Sequence, residues 1–426
     1  MSPSVIGLLI LAVVIVLFLT GWIPSAQAAV LGCILFVLTG ICSATEVFSS
    51  MADSTVILVV GMLIVGEAMF SVGLAYDVGN LIRRVTGNNE RRLIFAAGLI
   101  SALLSSFLSN VTVIAMAISI INSIVRTSKN FRSTQLYLPI IIGASFGGIL
   151  TLVGSTPQLV AQGLLESSGL RPMTFFELGI TGIPLLILLA FWFSTIAYKP
   201  LVRSVAYMPD TPDYIQELKG QEDTGEKANP KMYVCFAIII LMVIGFLCEL
   251  WTVGVVASLA AMACIVTGCL SAKTAFAKIS WSAIVIVGST LGVAKGLNAS
   301  GAAGFLANWL VGVIGTNASV VVVMLAFGLM VTIMSNLLSH TATISLLVPI
   351  FIPLAQEMGL DPTLFVYAIT CFVMCGYATP LGVSSYAMTL AEGYSFRDYQ
   401  KIGGPFNIVA YLILVAICSA RFLLGF

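Results

Sequence analysis

Charge is scarce in this sequence. Its 426 residues include 19 Lys or Arg and 18 Asp or Glu, together 9% of the chain, where ordinary soluble domains carry about 25%. A soluble protein of this length could not cover the 59% of residues that are hydrophobic with so thin a polar coat. Soluble, fibrous, disordered and nucleic-acid-binding classes are therefore excluded. Histidine is present once, at His340. With one histidine, no HExxH and no paired intramembrane aspartates, an intramembrane hydrolase lacks its catalytic parts, and the chain is not expected to be an enzyme. No GxxxxGK[ST] occurs, so no ATP-binding loop is present. The nine cysteines form no CxxC and lie in apolar runs, which reads as packing rather than a disulfide framework or a zinc site. Residues 5–19 followed by Ser25-Ala26-Gln27-Ala28 look like a signal peptide, but the basic n-region is missing, so a retained helix is expected.

Long apolar runs are abundant. They cover 4–22, 27–43, 55–82, 93–125, 136–165 and 173–198, then a polar stretch at 199–231, then 232–249, 251–269, 281–306, 317–356, 361–391 and 405–424. A helix crosses a bilayer in about 20 residues. Runs 93–125 and 317–356 are too long for one crossing, and each is interrupted by polar residues, Ser105 to Asn110 and Ser335 to Thr341. Treating both as hairpins that return to their own side places 16 of the 19 basic residues on one face, which is then cytoplasmic. Arg171, Lys295 and Arg421 are the exceptions. Two full crossings per run would give the same sidedness. The hydroxyl and amide side chains at each break favour hairpins, since they are costly beside lipid and useful at mid-depth.

The halves align on each other. Val60-Gly61 matches Val287-Gly288, Ser109-Asn110 matches Ser339-His340, and Thr151-Leu152-Val153-Gly154 matches Thr379-Pro380-Leu381-Gly382. Five crossings and a hairpin per half make the copies inverted, as in many secondary transporters. The expected fold is an all-α polytopic membrane protein. Residues 1–203 form the first inverted repeat (hairpin 93–125, broken helix 136–165), 204–231 a cytoplasmic linker, and 232–426 the second repeat (hairpin 317–356, broken helix 361–391).

Two features recur in each half and mark the expected site. At a hairpin tip, helix ends expose N–H groups that favour anions and carbonyls that favour a hard cation such as Na+. Ser105, Ser109, Asn110 and Thr112 add oxygens at the first tip, and Ser335, Asn336, Ser339, Thr341 and Thr343 at the second. A lone serine in a membrane helix ordinarily bonds a backbone carbonyl; two matched clusters point to binding. The interrupted helices carry Gly154-Ser155-Thr156-Pro157-Gln158 and Gly382-Val383-Ser384-Ser385, where glycine permits unwinding and proline removes a helix hydrogen bond. Glu67 and Lys295, 228 residues apart, fall within apolar runs. They either pair with each other, mark a proton path, or neutralise a local polar contact. His340 either attracts an anion and titrates, or is a hydrogen-bonded helix-end residue.

These motifs resemble the divalent anion/sodium symporter (DASS) family of the ion transporter superfamily over nearly the whole chain. The tips Ser109-Asn110-Val111 and Ser339-His340-Thr341 carry the likeness, with the breaks at 154–158 and 382–386 and the segment Ala391-Glu392-Gly393-Tyr394-Ser395-Phe396-Arg397-Asp398-Tyr399. The resemblance implies an elevator-type carrier, a homodimer, and transport of small di- or tricarboxylates such as succinate or citrate across the plasma membrane. Coupling would be to Na+, or to H+ through His340. It implies a first Na+ site at Ser105, Ser109, Asn110 and Gly154, and a second at Ser335, Ser339 and Gly382. The substrate would meet Asn110, Val111, Thr156, Pro157, His340, Thr341 and Ser384. Coupling candidates are His340, Glu67 and Lys295. Val111 stands where the family carries a hydroxyl, and His340 where it carries an amide, which weakens the second Na+ site. Anion exchange, a cation/proton antiporter and an arsenite-type permease are the alternatives.

Overall fold

The computed structural model describes residues 2–73, 89–108, 110, 113–114, 117–118, 121, 133–204, 231–248, 251–315, 318–383, 386 and 394–424. Among them the secondary structure is helical, with no strand. The expected linker at 204–231 and the candidates Ser109, Val111 and Ser384 lie outside the described residues, apart from the linker's two ends.

The first half contains α1 (Pro3–Thr20), α2 (Ser25–Leu38), the short α3 (Ala44–Phe48) and α4 (Ser54–Ser71). It continues with α5 (Glu90–Ser105), α6 (Ser133–Gly147), α7 (Thr156–Ser167), α8 (Gly179–Ser194) and α9 (Tyr198–Ser204). The second half contains α10 (Lys231–Cys248), α11 (Val253–Val266), α12 (Ala272–Lys278), α13 (Trp281–Ala299) and α14 (Ala302–Ile314). It ends with α15 (Val320–Leu337), α16 (His340–Glu357), α17 (Pro362–Val373) and α18 (Gly404–Leu424).

Short polar side chains start these helices. Asp53 accepts from the Thr55 amide at 2.9 Å to cap α4, and Asn89 accepts from Arg92 at 3.1 Å to cap α5. Asp361 caps α17, with Pro362 at its first position; each cap satisfies a donor that the first turn leaves open. Six helical stretches among the described residues are long and apolar enough to cross a membrane. Their outward faces are apolar: Leu241 on α10 is 67% exposed and Leu423 on α18 is 70% exposed. Such faces are stable only against lipid. Eight of the nine cysteines are buried.

Both long runs break where the polar clusters stand. Helix α5 ends at Ser105, and Ser106 to Leu108 form a turn. Helix α15 ends at Leu337, Leu338 is extended, and Ser339 caps α16 by accepting from the Ala342 amide at 3.2 Å. The two later runs also break: Thr151 to Ser155 separate α6 from α7, and Cys375 to Val383 follow α17 without helix.

Contacts fix the direction of α4 against α13. A methyl on Gly254, at the start of α11, would stand 2.6 Å from the Ser54 carbonyl at the start of α4. These two helices therefore run side by side in the same sense. Beyond the far end of α11, Lys278 pairs with Glu67 near the end of α4. Helix α13 starts three residues later and ends with Lys295 against Glu46 and Ser49, which precede α4. Thus α4 and α13 are antiparallel.

Candidate functional site

The two breaks in each half are tied together by one repeated contact. The Thr151 hydroxyl donates to the Ser106 carbonyl, joining the first unwound segment to the first tip. The Thr379 hydroxyl donates to the Asn336 carbonyl and does the same in the second half. Each hydroxyl thereby satisfies a carbonyl that the helix end leaves open. Glycine makes the close approach possible. A methyl at position 154 would collide with the Gly148 carbonyl and stand 2.7 Å from Gly148 Cα, and one at 382 would lie 2.5 Å from the Ser335 carbonyl and 3.2 Å from the Gly376 carbonyl. The matched positions, 148 with 376 and 154 with 382, share the offset of 228 seen in the sequence.

Amide side chains hold the unwound backbone open. Gln158 Nε2 donates to the Gly148 carbonyl at 2.6 Å, and its Oε1 accepts from the Ser155 amide at 3.0 Å. Asn336 Nδ2 donates to the Thr332 and Cys375 carbonyls at 2.8 and 3.1 Å, while its Oδ1 accepts from the Ala378 amide at 2.9 Å. The sequence pointed to both as tip or break residues and did not show this bracing role. The signal was an amide side chain beside a helix break, where unpaired backbone groups must find partners.

A cavity of about 490 Å³ joins these parts, within the range typical of small-molecule sites. Asn110, Gly154, Thr156, Pro157, Ser339, His340, Thr341 and Gly382 all line it. Ser105 and Ser335 do not. Ser105 stands behind the first tip and donates to Asn110 Oδ1, and Ser335 donates to the Thr332 carbonyl of its own helix at 2.9 Å. The cavity continues past Glu67 to Ser25, Lys278, Ser280 and Ser282. The cavity thus reaches toward the side that the sequence assigns to most of the basic residues.

The two halves differ in how the glycine cradle is filled. His340 is 4% exposed, its amide donates to the Gly382 carbonyl at 2.9 Å, and its Nε2 has no hydrogen-bond partner among the described residues. That nitrogen lies 3.0 Å from where a methyl on Gly382 would sit, and a methyl on Gly376 would strike it. The imidazole thus occupies the space beside the Ser335 and Gly376 carbonyls. In the first half the equivalent residue is Asn110, whose Oδ1 is engaged by Ser105.

Glu67 and Lys295 do not pair. Glu67 is 2.7 Å from Lys278, whereas Lys295 donates to the Glu46 carbonyl at 3.5 Å and to Ser49 Oγ at 3.3 Å. Antiparallel α4 and α13 put matched residues at opposite ends, so sequence equivalence here separates the charges. Lys295 is outside the cavity lining. The residue that the sequence reading passed over is Lys278, set among ordinary cytoplasmic lysines.

A second cavity of about 880 Å³ lies at the opposite end, lined by Arg171, Glu177, Asp361 and Arg421 among others. Its charges neutralise one another. Glu177 accepts from Arg171 at 3.0 and 3.3 Å and from Arg421, whose guanidinium lies 3.9 Å over the Tyr367 ring. Burial pushes the Glu177 carboxyl up, but Arg171, the Thr174 amide and Arg421 outweigh it and hold it below the usual range. Arg171, Lys295 and Arg421, the exceptions to the expected charge distribution, thus each have local partners.

Comparison with known proteins bears on the family and the fold. The profile of the citrate transporter family (CitMHS) matches residues 15–371. The uncharacterized transporter YfbS of Escherichia coli is 31% identical over 179 residues, covering 42% of this chain and 29% of YfbS. The sodium-dependent dicarboxylate transporter SdcS of Staphylococcus saprophyticus is 22% identical, covering 96% of this chain and 85% of SdcS. The crystal structure of the YdaH transporter of Alcanivorax borkumensis superposes with a TM-score of 0.64 at 15% identity, covering 100% of this chain and 99% of YdaH.

Proposed function

This chain is a carboxylate transporter of the citrate transporter family, and from that premise we propose that it is a secondary active carrier coupled to a cation. It would move a small di- or tricarboxylate such as citrate or succinate, with Na+ as co-substrate. The observation that carries the reading is the cavity between two matched sets of unwound backbone, lined by amide, hydroxyl and backbone groups. Helix N-terminal amides and the side chains of Asn110, Thr156 and Thr341 suit carboxylates, and the carbonyls around Gly154 suit a hard cation. Ser105, and by sequence Ser109, support the first cation seat from behind Asn110. The matched contacts at an offset of 228, with antiparallel α4 and α13, support two inverted repeats, 1–203 and 232–426, joined by the linker 204–231. An elevator movement and a homodimer follow from the family likeness, and the bacterial inner membrane is the expected location.

Thermal stabilisation of the purified protein tests this. A carboxylate at a hundred times its Kd adds about 2.7 kcal/mol to the folded state. Citrate or succinate should therefore raise Tm, and Na+ should enlarge the shift, with sulfate and phosphate as comparison anions. Stabilisation by no carboxylate sinks the substrate reading; equal stabilisation in K+ and Na+ sinks the coupling.

The second cradle is filled by an imidazole, and nitrogen is a poor ligand for a hard cation. The expected coupling is one Na+ per anion, through the first cradle. His340→Asn vacates the second. The Hill coefficient for Na+, read from Tm against Na+ concentration, should rise from about one toward two in this variant. An unchanged coefficient in a folded, carboxylate-stabilised variant removes the plugging role.

A further inference from the structure

The substrate cavity offers a carboxylate very little charge. Among its described lining residues the acidic and strongly basic side chains are Glu67 and Lys278, and both lie at its cytoplasmic mouth rather than at the tips. They are 2.7 Å apart. The Glu67 side chain is 15% exposed, while that of Lys278 is 52% exposed. An ammonium has three donors, and one carboxylate at this distance leaves part of it turned to the cavity. Lys278 Nζ also lies 5.6 Å from the Phe70 ring, which with Glu67 keeps the side chain over the mouth instead of free in solvent. The hydroxyls of Ser25, Ser280 and Ser282 line the same opening. The pair is carried by α4 and α12, which pack on each other, whereas the tips and unwound segments belong to α5 to α7 and α15 to α17.

We propose that Lys278 recognises the substrate carboxylate at the cytoplasmic mouth, with Glu67 limiting how tightly it does so. This rests on the carboxylate-transport reading above. An ammonium beside an anion path raises the local anion concentration and speeds encounter, in a salt-dependent way. Left unpaired it would also retain the anion. A neighbouring carboxylate weakens the hold so that the substrate passes. Because the pair sits at one end, it acts on one face of the membrane and leaves the other unaffected.

Transport of labelled citrate and succinate, measured separately in right-side-out and inside-out vesicles, tests this. Lys278→Gln should raise KM from the cytoplasmic face by about three- to fivefold at low salt, with the outer KM unchanged. The difference should shrink at high salt, and Lys278→Arg should restore the wild-type value. Glu67→Gln should act in the opposite sense, lowering the cytoplasmic KM and the turnover number together. A purely structural ion pair predicts that Lys278→Gln and Glu67→Gln do the same thing. Matching effects of the two variants, or equal effects on both faces, overturn the proposal. Wild-type vesicles that carry neither anion from either face would instead overturn the transport reading on which it stands.

Discussion

Gly154→Ala should reduce citrate or succinate uptake by about tenfold or more, even where the variant reaches the membrane in normal amount. The added methyl would strike the Gly148 carbonyl and stand 2.7 Å from Gly148 Cα. These are backbone atoms, so no side chain can rotate aside. Gly148 opens a 3-10 turn, and its carbonyl is further pinned by Gln158 at 2.6 Å. The segment from Thr151 to Ser155 must therefore shift, which breaks the Thr151 contact to the first tip and moves the carbonyls proposed to seat the cation. The Na+ concentration giving half-maximal stabilisation should rise in parallel. Gly304→Ala is the control, since a methyl there meets nothing within 4 Å. Wild-type uptake and Na+ dependence in Gly154→Ala would show that the first cradle is not the coupling site.

Glu177→Gln should cost about 3–5 kcal/mol of stability, the usual result of removing one partner from a buried ion pair. Arg421 is 5% exposed and Glu177 is 6% exposed, so the guanidinium loses the Glu177 charge at a position the protein largely covers. The same two residues join the α7–α8 connection to α18, and therefore the two halves. Arg171→Ala should cost much less, because its side chain is 52% exposed and a solvated pair contributes about 0–1 kcal/mol. Combining Glu177→Gln with Arg421→Met should recover part of the loss, since both charges then leave together. The pH dependence has a definite sign. The Glu177 carboxyl titrates below its usual range in the folded protein, so its contribution is complete above the unfolded carboxylate pKa of about 4.3. It disappears as pH falls through the lower folded value. Thermal midpoints of the purified protein at graded pH should show this acid-side loss, reduced in Glu177→Gln. A flat difference between wild type and variant across that window would show that the carboxylate is not the stabilising species.

Much of the site was legible before any tertiary structure. Breaks in helices announce themselves through residues that cannot continue a helix or that belong near its ends, and Gly154, Pro157, Ser339 and Gly382 stand at the breaks where expected. The matched landmarks were legible because the same contact, Thr151 to Ser106 and Thr379 to Asn336, is encoded at both. The sequence could not separate lining from support. Ser105 and Ser335 carry the same hydroxyl as Ser339, yet the first two face inward to Asn110 and to the Thr332 carbonyl, while Ser339 lines the cavity. That distinction depends on helix rotation, which composition does not encode.

The amino-acid sequence by itself determined the class, a membrane protein of apolar helices. It also set the expectation of which face carries positive charge, and showed where the chain breaks into polar tips. Each follows from transfer free energy along the chain: apolar residues seek lipid, lysine and arginine stay on the cytoplasmic side, and unpaired backbone seeks hydroxyl and amide partners. Only the tertiary structure decided which charges meet. It brought Glu67 to Lys278 rather than to its sequence counterpart Lys295, gathered Arg171 and Arg421 onto Glu177, and put the His340 ring against Gly376 and Gly382. The reason is geometric. Antiparallel α4 and α13 send their matched residues to opposite ends, and Coulomb and packing energies depend on distances that sequence spacing does not set.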